Sequence, residues 1–205
     1  MERLIEGFQR FQTKYYEPQR ARFERLAARP QHPRYAVVAC CDSRIDMSLT
    51  FGTVPGEIFV IRNIANLIPP YRPDDREHST SAAIEYAVRF LKVGQFVVLG
   101  HADCGGIKAL LVPPEESTDF VANWMGLAAP ARQRVAARAE ELSPAEHQRA
   151  CELEALKDSL ANVLSFPWVK VRVDDGSLHV DALYLDLERG ELLLYNQQKD
   201  EFSPV

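Results

Sequence analysis

The chain has 205 residues, 46% hydrophobic and 26% charged, which is the balance of an ordinary globular domain and excludes a disordered, collagen-like or disulfide-stapled chain. With 24 Lys and Arg against 29 Asp and Glu the formal net charge is −5, which argues against a nucleic-acid binder that works through a broad basic surface. No apolar stretch nears the roughly 20 residues a membrane span needs, and charges in Met1-Glu2-Arg3-Leu4-Ile5-Glu6 interrupt any signal-peptide core, so a cytoplasmic protein with no membrane partner is expected.

Leu4, Phe8, Phe11 and Tyr15 follow one another at steps of four, three and four, one face of an amphipathic helix. Pro18 interrupts it, and Gln19 to Ala28 reads as a second short helix. Residues 1–30 thus form a helical arm that packs either on its own core or on a partner subunit. Three short apolar runs, Tyr35 to Cys40, Ile58 to Ile61 and Gln95 to Gly100, suit strands buried on both faces of a parallel sheet. Between the second and third, Ser81 to Val93 carries Ala83, Tyr86, Ala87 and Phe90 on a helical face. Strand, helix, strand is the βαβ unit of an α/β fold.

A helical region follows from Gly106 to about Val163. Ser143-Pro144-Ala145-Glu146 is its clearest start signal, with Ser as N-cap, Pro at the first helical position and Glu at the third. Leu153, Leu156, Leu160 and Val163 continue that helix's apolar face. Trp168 to Val173, Leu178 to Leu185 and Glu191 to Tyr195 read as strands, joined by turns at Asp174-Asp175-Gly176 and Glu188-Arg189-Gly190. The expected architecture is α/β: a central, mostly parallel sheet with an antiparallel edge, flanking helices and the N-terminal arm, all in a single domain of residues 1–205 with its core in 31–205.

The chemistry collects at two predicted strand ends. The first apolar run ends in Cys40-Cys41-Asp42-Ser43-Arg44 and the third in His101-Ala102-Asp103-Cys104-Gly105-Gly106. In open α/β sheets, sites form where loops leave the carboxyl ends of strands. Two thiolates and an imidazole are a borderline-soft set that suits Zn²⁺, and three protein ligands leave the fourth position open, as in catalytic sites. Taken alone, His-x-x-Cys is a weak signal, and a cysteine at a strand end is more often a small buried hydrophobe; the matching cluster at the other strand end shifts the balance to the metal. Asp42 and Arg44 are two apart, so Arg can fix the carboxylate and keep it ionised, or simply close a loop as a structural ion pair. Gly105-Gly106 lets the backbone approach closely and begin a helix whose N–H groups favour anions.

Ala39 to Arg44, Gly56-Glu57-Ile58-Phe59-Val60-Ile61-Arg62-Asn63-Ile64-Ala65-Asn66 and Gly100 to Gly106 together resemble the motifs of the β-class carbonic anhydrases, in the right order. The likeness runs from about Gln31 to Tyr195. It implies reversible hydration of carbon dioxide to bicarbonate and a proton by zinc-bound hydroxide, with one Zn²⁺ per chain on Cys40, His101 and Cys104. Asp42 and Arg44 match the family's catalytic dyad. Gln31, Phe59, Ile64, Tyr86 and Gly105 stand at substrate-pocket positions, several of which come from a neighbouring subunit, so the likeness also implies a homodimer or higher even oligomer. Val37 stands where one subtype carries the tryptophan of a bicarbonate switch, so the chain is similar to the plant-type subtype without it; Arg62 does not discriminate. Cys41 departs from the small residue usual there and is expected to point away from Cys40. His32, His78, His147 and His179 are candidate proton carriers. Two alternatives keep the zinc site and change its use: hydrolysis of carbon disulfide or carbonyl sulfide, and a non-catalytic zinc scaffold.

Overall fold

Helix α1 (Glu2–Phe11) opens the computed structural model, which describes residues 1–113 and 115–205. It runs through a π-helical stretch, Gln12–Tyr16, and a 3₁₀ turn holding Pro18 into α2 (Arg20–Ala27). Phe11 packs edge-on against Phe23, 5.6 Å between ring centres, and ties the two helices together. Leu4, Phe8 and Tyr15 remain exposed. These helices belong to one unit, Met1–His32; Pro33–Val205 is a second.

The second unit begins with β1 (Tyr35–Cys40), α3 (Met47–Phe51) and β2 (Ile58–Asn63). Helix α4 (Ser79–Glu85) continues as a π-helical turn, Tyr86–Phe90, and leads into β3 (Gln95–His101). The expected helical region is then broken into α5 (Gly105–Leu111), α6 (Val121–Met125), α7 (Ala129–Ala136) and the long α8 (Pro144–Leu164). Ser143 and Glu146 form the full capping box at the start of α8. Helix α9 (Pro167–Asp174) precedes β4 (His179–Asp186), β5 (Glu191–Asn196) and β6 (Glu201–Pro204).

Among the described residues the strands form one sheet in the order β2-β1-β3-β4-β5-β6. The first four are mutually parallel, and β5 and β6 are antiparallel additions. On one face Val38, Phe96, Val98 and Tyr184 pack against Leu156, Leu160 and Val163 of α8, Val169 of α9 and Ile84 of α4. On the other, Val37, Ala39, Val97, Leu99 and Leu185 pack against Ile45 and Met47. No helix of the described residues is long and apolar enough to cross a membrane.

One expected element is corrected. Trp168 to Val173 is not a strand but lies within α9. Alternating Val169, Val171 and Val173 imitates a strand, yet Pro167 starts a helix well, and β4 pairs parallel to β3, which requires a crossover rather than a hairpin. Val169 is buried while Val171 faces solvent. Strand β6, an exposed four-residue edge ending at Pro204, had no sequence signal.

At the end of β4, Asp186 is buried and accepts a 2.6 Å hydrogen bond from Arg149 on α8. Burial raises its carboxyl pKa, but the bonds from the Arg149 guanidinium and the Arg189 N–H outweigh burial and hold it below the ordinary value. Such a group stabilises the fold above its unfolded pKa of about 3.9 and loses that contribution as pH falls through the folded value. Arg149→Met reverses the sign by removing the close guanidinium and leaving the buried carboxylate only the Arg189 N–H and the more distant Arg189 side chain, 3.8 Å away. The variant is expected to lose about 3 kcal/mol at pH 7, with the loss shrinking toward pH 4 as Asp186 takes a proton. Urea unfolding at both pH values measures the difference.

Candidate metal centre

Strand order 2-1-3 places a topological switch between β1 and β3, where the chain leaves in opposite directions and opens a crevice at the carboxyl ends. Cys40 is the last residue of β1, His101 the last of β3, and Cys104 the N-cap of α5. All three are buried, and their ligand atoms lie within 4.8 Å of one another. His101 Nδ1 sits 2.9 Å from the Ala102 carbonyl, so Nδ1 carries the proton and Nε2 presents its lone pair. That Nε2 is buried without a hydrogen-bond partner. The neighbouring Cys104 lowers the Cys40 pKa, and the neighbouring Cys40 together with burial raises that of Cys104. A cation among them lets both sulfurs ionise. An orphaned imidazole lone pair facing two such sulfurs fits Zn²⁺.

Asp42 follows two residues after Cys40. Arg44 holds its carboxylate three times: the backbone N–H and Nε each donate to Oδ1 at 2.9 Å, and Nη2 donates to Oδ2 at 2.7 Å. These hydrogen bonds hold the Asp42 carboxyl well below the usual carboxylate range. Its Oδ2 lies 4.0 Å from His101 Nε2, beside the cluster but turned toward Arg44.

The residues of the expected pocket divide. Ile64, directly after β2, packs beside the cluster on Gly106, where an added Cβ would stand 2.8 Å from its Cγ2. Gly105 opens α5 next to Cys104. Phe59 pairs with Ala36, four positions before Asn63, the partner of Cys40, so it stands about 13 Å back along the strand. There it packs on Tyr86, 5.9 Å between ring centres. Within one chain Phe59 and Tyr86 form their own aromatic pair and do not reach the cluster. Gln31 belongs to the Met1–His32 unit. Cys41 is exposed where Cys40 is buried. Cys151 is packed within the core of α8, where burial pushes its thiol up to about 11.

Residues 35–192 match the family described as carbonic anhydrase. The chain belongs to the β-carbonic anhydrase family. It is 38% identical over 200 residues to beta carbonic anhydrase 3 of Arabidopsis thaliana, covering 95% of this chain and 76% of that one. The solved structure of the β-carbonic anhydrase CcaA superposes with a TM-score of 0.93 at 33% identity, covering 100% of this chain and 92% of that one. A β-carbonic anhydrase of Sordaria macrospora has the same fold, with a TM-score of 0.85 at 24% identity over 94% of this chain and 95% of that one. The Cys40, His101 and Cys104 cluster could hold the zinc that β-carbonic anhydrases use.

The supporting roles of several residues escaped the sequence reading. Arg62 donates to the carbonyls of Cys40, Asp42 and Ile45 at 2.7–3.0 Å and so holds the whole 40–45 loop. Trp124 Nε1 donates to the Ile64 carbonyl at 2.8 Å. Asp103 accepts from Arg44 through both its backbone oxygen and its side chain. Glu152 accepts from the Cys104 N–H at 2.8 Å. Only Glu152 had a signal: it lies four residues before Leu156 and eight before Leu160, a charge on an otherwise apolar stripe.

The two glycines after Cys104 differ. At Gly106 an added Cβ would meet Ile64 Cγ2 at 2.8 Å and Ala65 Cβ at 3.0 Å, whereas at Gly105 it would meet nothing within 4 Å. Gly106→Ala is expected to cost about 1–3 kcal/mol by overpacking, and Gly105→Ala to lie within about 0.5 kcal/mol of the parent. Urea unfolding of the metal-free proteins compares them.

Proposed function

We propose that Cys40, His101 and Cys104 hold one Zn²⁺, that Asp42 and Arg44 are the working pair beside it, and that the reaction is the reversible hydration of carbon dioxide to bicarbonate and a proton. The observation that carries this reading is the buried, unpartnered His101 Nε2 between two cysteine sulfurs and a carboxylate already fixed by arginine. Zinc, when bound, supplies the Lewis acidity that makes water a nucleophile, less strongly beside two thiolates than beside three neutral imidazoles, so activity rises toward alkaline pH.

The protein's own residues do the rest. Asp42 is an ionised acceptor that cannot turn, because Arg44 occupies both its oxygens. It takes a hydrogen bond from the attacking water and so aims a lone pair at the carbon of the substrate. Ile64 supplies an apolar wall suited to a nonpolar gas, and the Gly105 N–H donates to a developing bicarbonate oxygen.

Phe59, Tyr86 and Gln31 act from a second copy of the chain. β2 is an edge strand, and Val60, Tyr86 and Phe90 beside it are exposed, an apolar edge of the kind that oligomers cover. The Sordaria macrospora enzymes are tetrameric, which supports a homodimer or higher even oligomer here. In this reading residues 1–205 work as one domain whose arm, residues 1–30, lays its exposed apolar face on the partner. Val37, buried in β1, supports the subtype without the bicarbonate switch.

The test is stopped-flow carbon dioxide hydration across pH on zinc-quantified protein. Activity is expected to rise with pH, Cys104→Ala to lose both zinc and hydration, and Asp42→Asn to keep zinc while losing about 100-fold or more in kcat. A flat pH profile, or full hydration in Asp42→Asn, would overturn the scheme.

A further inference from the structure

We propose that Glu152 is the positioning residue for the zinc ligand Cys104, and that it acts by clamping the Asp103–Cys104 peptide against Arg44. The proposal rests on reading the Cys–His–Cys cluster as a zinc site and adds what presents its third ligand.

Two residues separate His101 from Cys104, and the chain must reverse between them for both side chains to enter one cluster. Asp103 makes that reversal in the left-handed region, with φ 54°. An L side chain adopts this conformation at a cost on the order of 1 kcal/mol or more, so the surroundings must impose it. They do so through the next peptide group. Its carbonyl, Asp103 O, accepts from Arg44 Nη2 at 2.9 Å. Its amide, Cys104 N–H, donates to Glu152 Oε1 at 2.8 Å. The carbonyl and the amide of one peptide group are thus held from opposite sides, the carbonyl by a guanidinium whose charge-assisted bond is roughly twice as strong as a neutral one.

Glu152 is itself immobile. It is 5% exposed. Its Oε1 also accepts from Gln148 Nε2 at 2.9 Å, and its Oε2 accepts from the Tyr184 hydroxyl at 2.7 Å. Tyr184 is fully buried in β4, so the clamp anchors the ligand loop to the sheet as well as to α8. A buried carboxyl group is a costly choice, because an apolar side chain fills the same volume with no desolvation penalty. Holding the peptide is what a carboxylate does here and an apolar residue does not. Glu152 is not among the ligand atoms of the cluster; it works through Cys104.

A cavity of about 330 Å³ lined by Asp103, Gln148, Glu152 and Tyr184, among others, adjoins the clamp. Water from it can replace a truncated side chain, so Glu152→Ala is expected to fold. The experiment measures zinc affinity of the full chain by competition with a chromophoric chelator. Thiolate-to-cobalt charge-transfer absorption of the cobalt-substituted protein gives a second readout, and circular dichroism with melting of the metal-free form checks the fold. Glu152→Ala is expected to bind zinc about 10- to 100-fold more weakly, with an altered cobalt spectrum and a cooperative metal-free melt. Glu152→Gln, which keeps an acceptor for the Cys104 N–H, recovers most of the affinity. Tyr184→Phe, which frees the carboxylate to swing, falls between Glu152→Ala and the parent. Unchanged zinc affinity and cobalt spectrum in Glu152→Ala overturn the proposal; if that variant does not fold, unchanged affinity in Tyr184→Phe does so. A parent chain that binds no zinc overturns the zinc reading and the clamp with it, whereas tight zinc in the parent with indifferent variants overturns the clamp alone.

Discussion

Parallel pairing of β1 with β3, Ala39 opposite Leu99, brings Cys40 and His101 to the same edge of the sheet. The rest of the site follows from that edge. The ladder sets the separation of the two strand ends, and a single reversed turn at Asp103 returns Cys104 to the same point. The sheet can hold this register because both of its faces are packed: α8, α9 and α4 on one side, Ile45 and Met47 on the other. A slip of one residue would send every side chain of β1 to the opposite face and carry Cys40 away from His101.

Around the cluster, cationic and anionic side chains are spent on backbone as much as on each other. Arg62 gathers three carbonyls of the loop that follows β1. Arg44 holds both Asp42 and the Asp103 carbonyl, so the residue that orients the Asp42 carboxylate also joins the two cysteine-bearing loops. This shared use ties the loops at the end of the sheet to one another. Loops supply the reach, and guanidinium groups with several donors in fixed geometry supply the rigidity.

The residues around the cluster and those of the β2 edge stand apart in one chain. Ile64 and Gly105 stand beside the cluster, while Phe59 lies well back along an edge strand, packed on Tyr86. Both aromatics occupy an apolar border that a lone chain leaves open to water, where burial against another copy stabilises the assembly by the same hydrophobic term that folds the core.

The sequence by itself determined the elements and chemistry that local pattern encodes. Tyr35–Cys40 was legible as β1 to the residue because a β-branched run has one use in a buried parallel sheet, and the α8 capping box because its hydrogen bonds are local. Cys40, His101 and Cys104 were legible because ligands at strand ends lie within short motifs. Tertiary structure decided the rest. Val169, Val171 and Val173 alternate as a strand does, yet the parallel crossover to β4 makes them helical. Phe59 and Tyr86 sit apart from the cluster because strand register, not proximity in a motif, sets their distance. The grip of Glu152 on a peptide 48 residues away has no local pattern to announce it. Such contacts exist only once α8 packs across the sheet, because a hydrogen bond between distant segments depends on the positions of both, and only the folded chain supplies those.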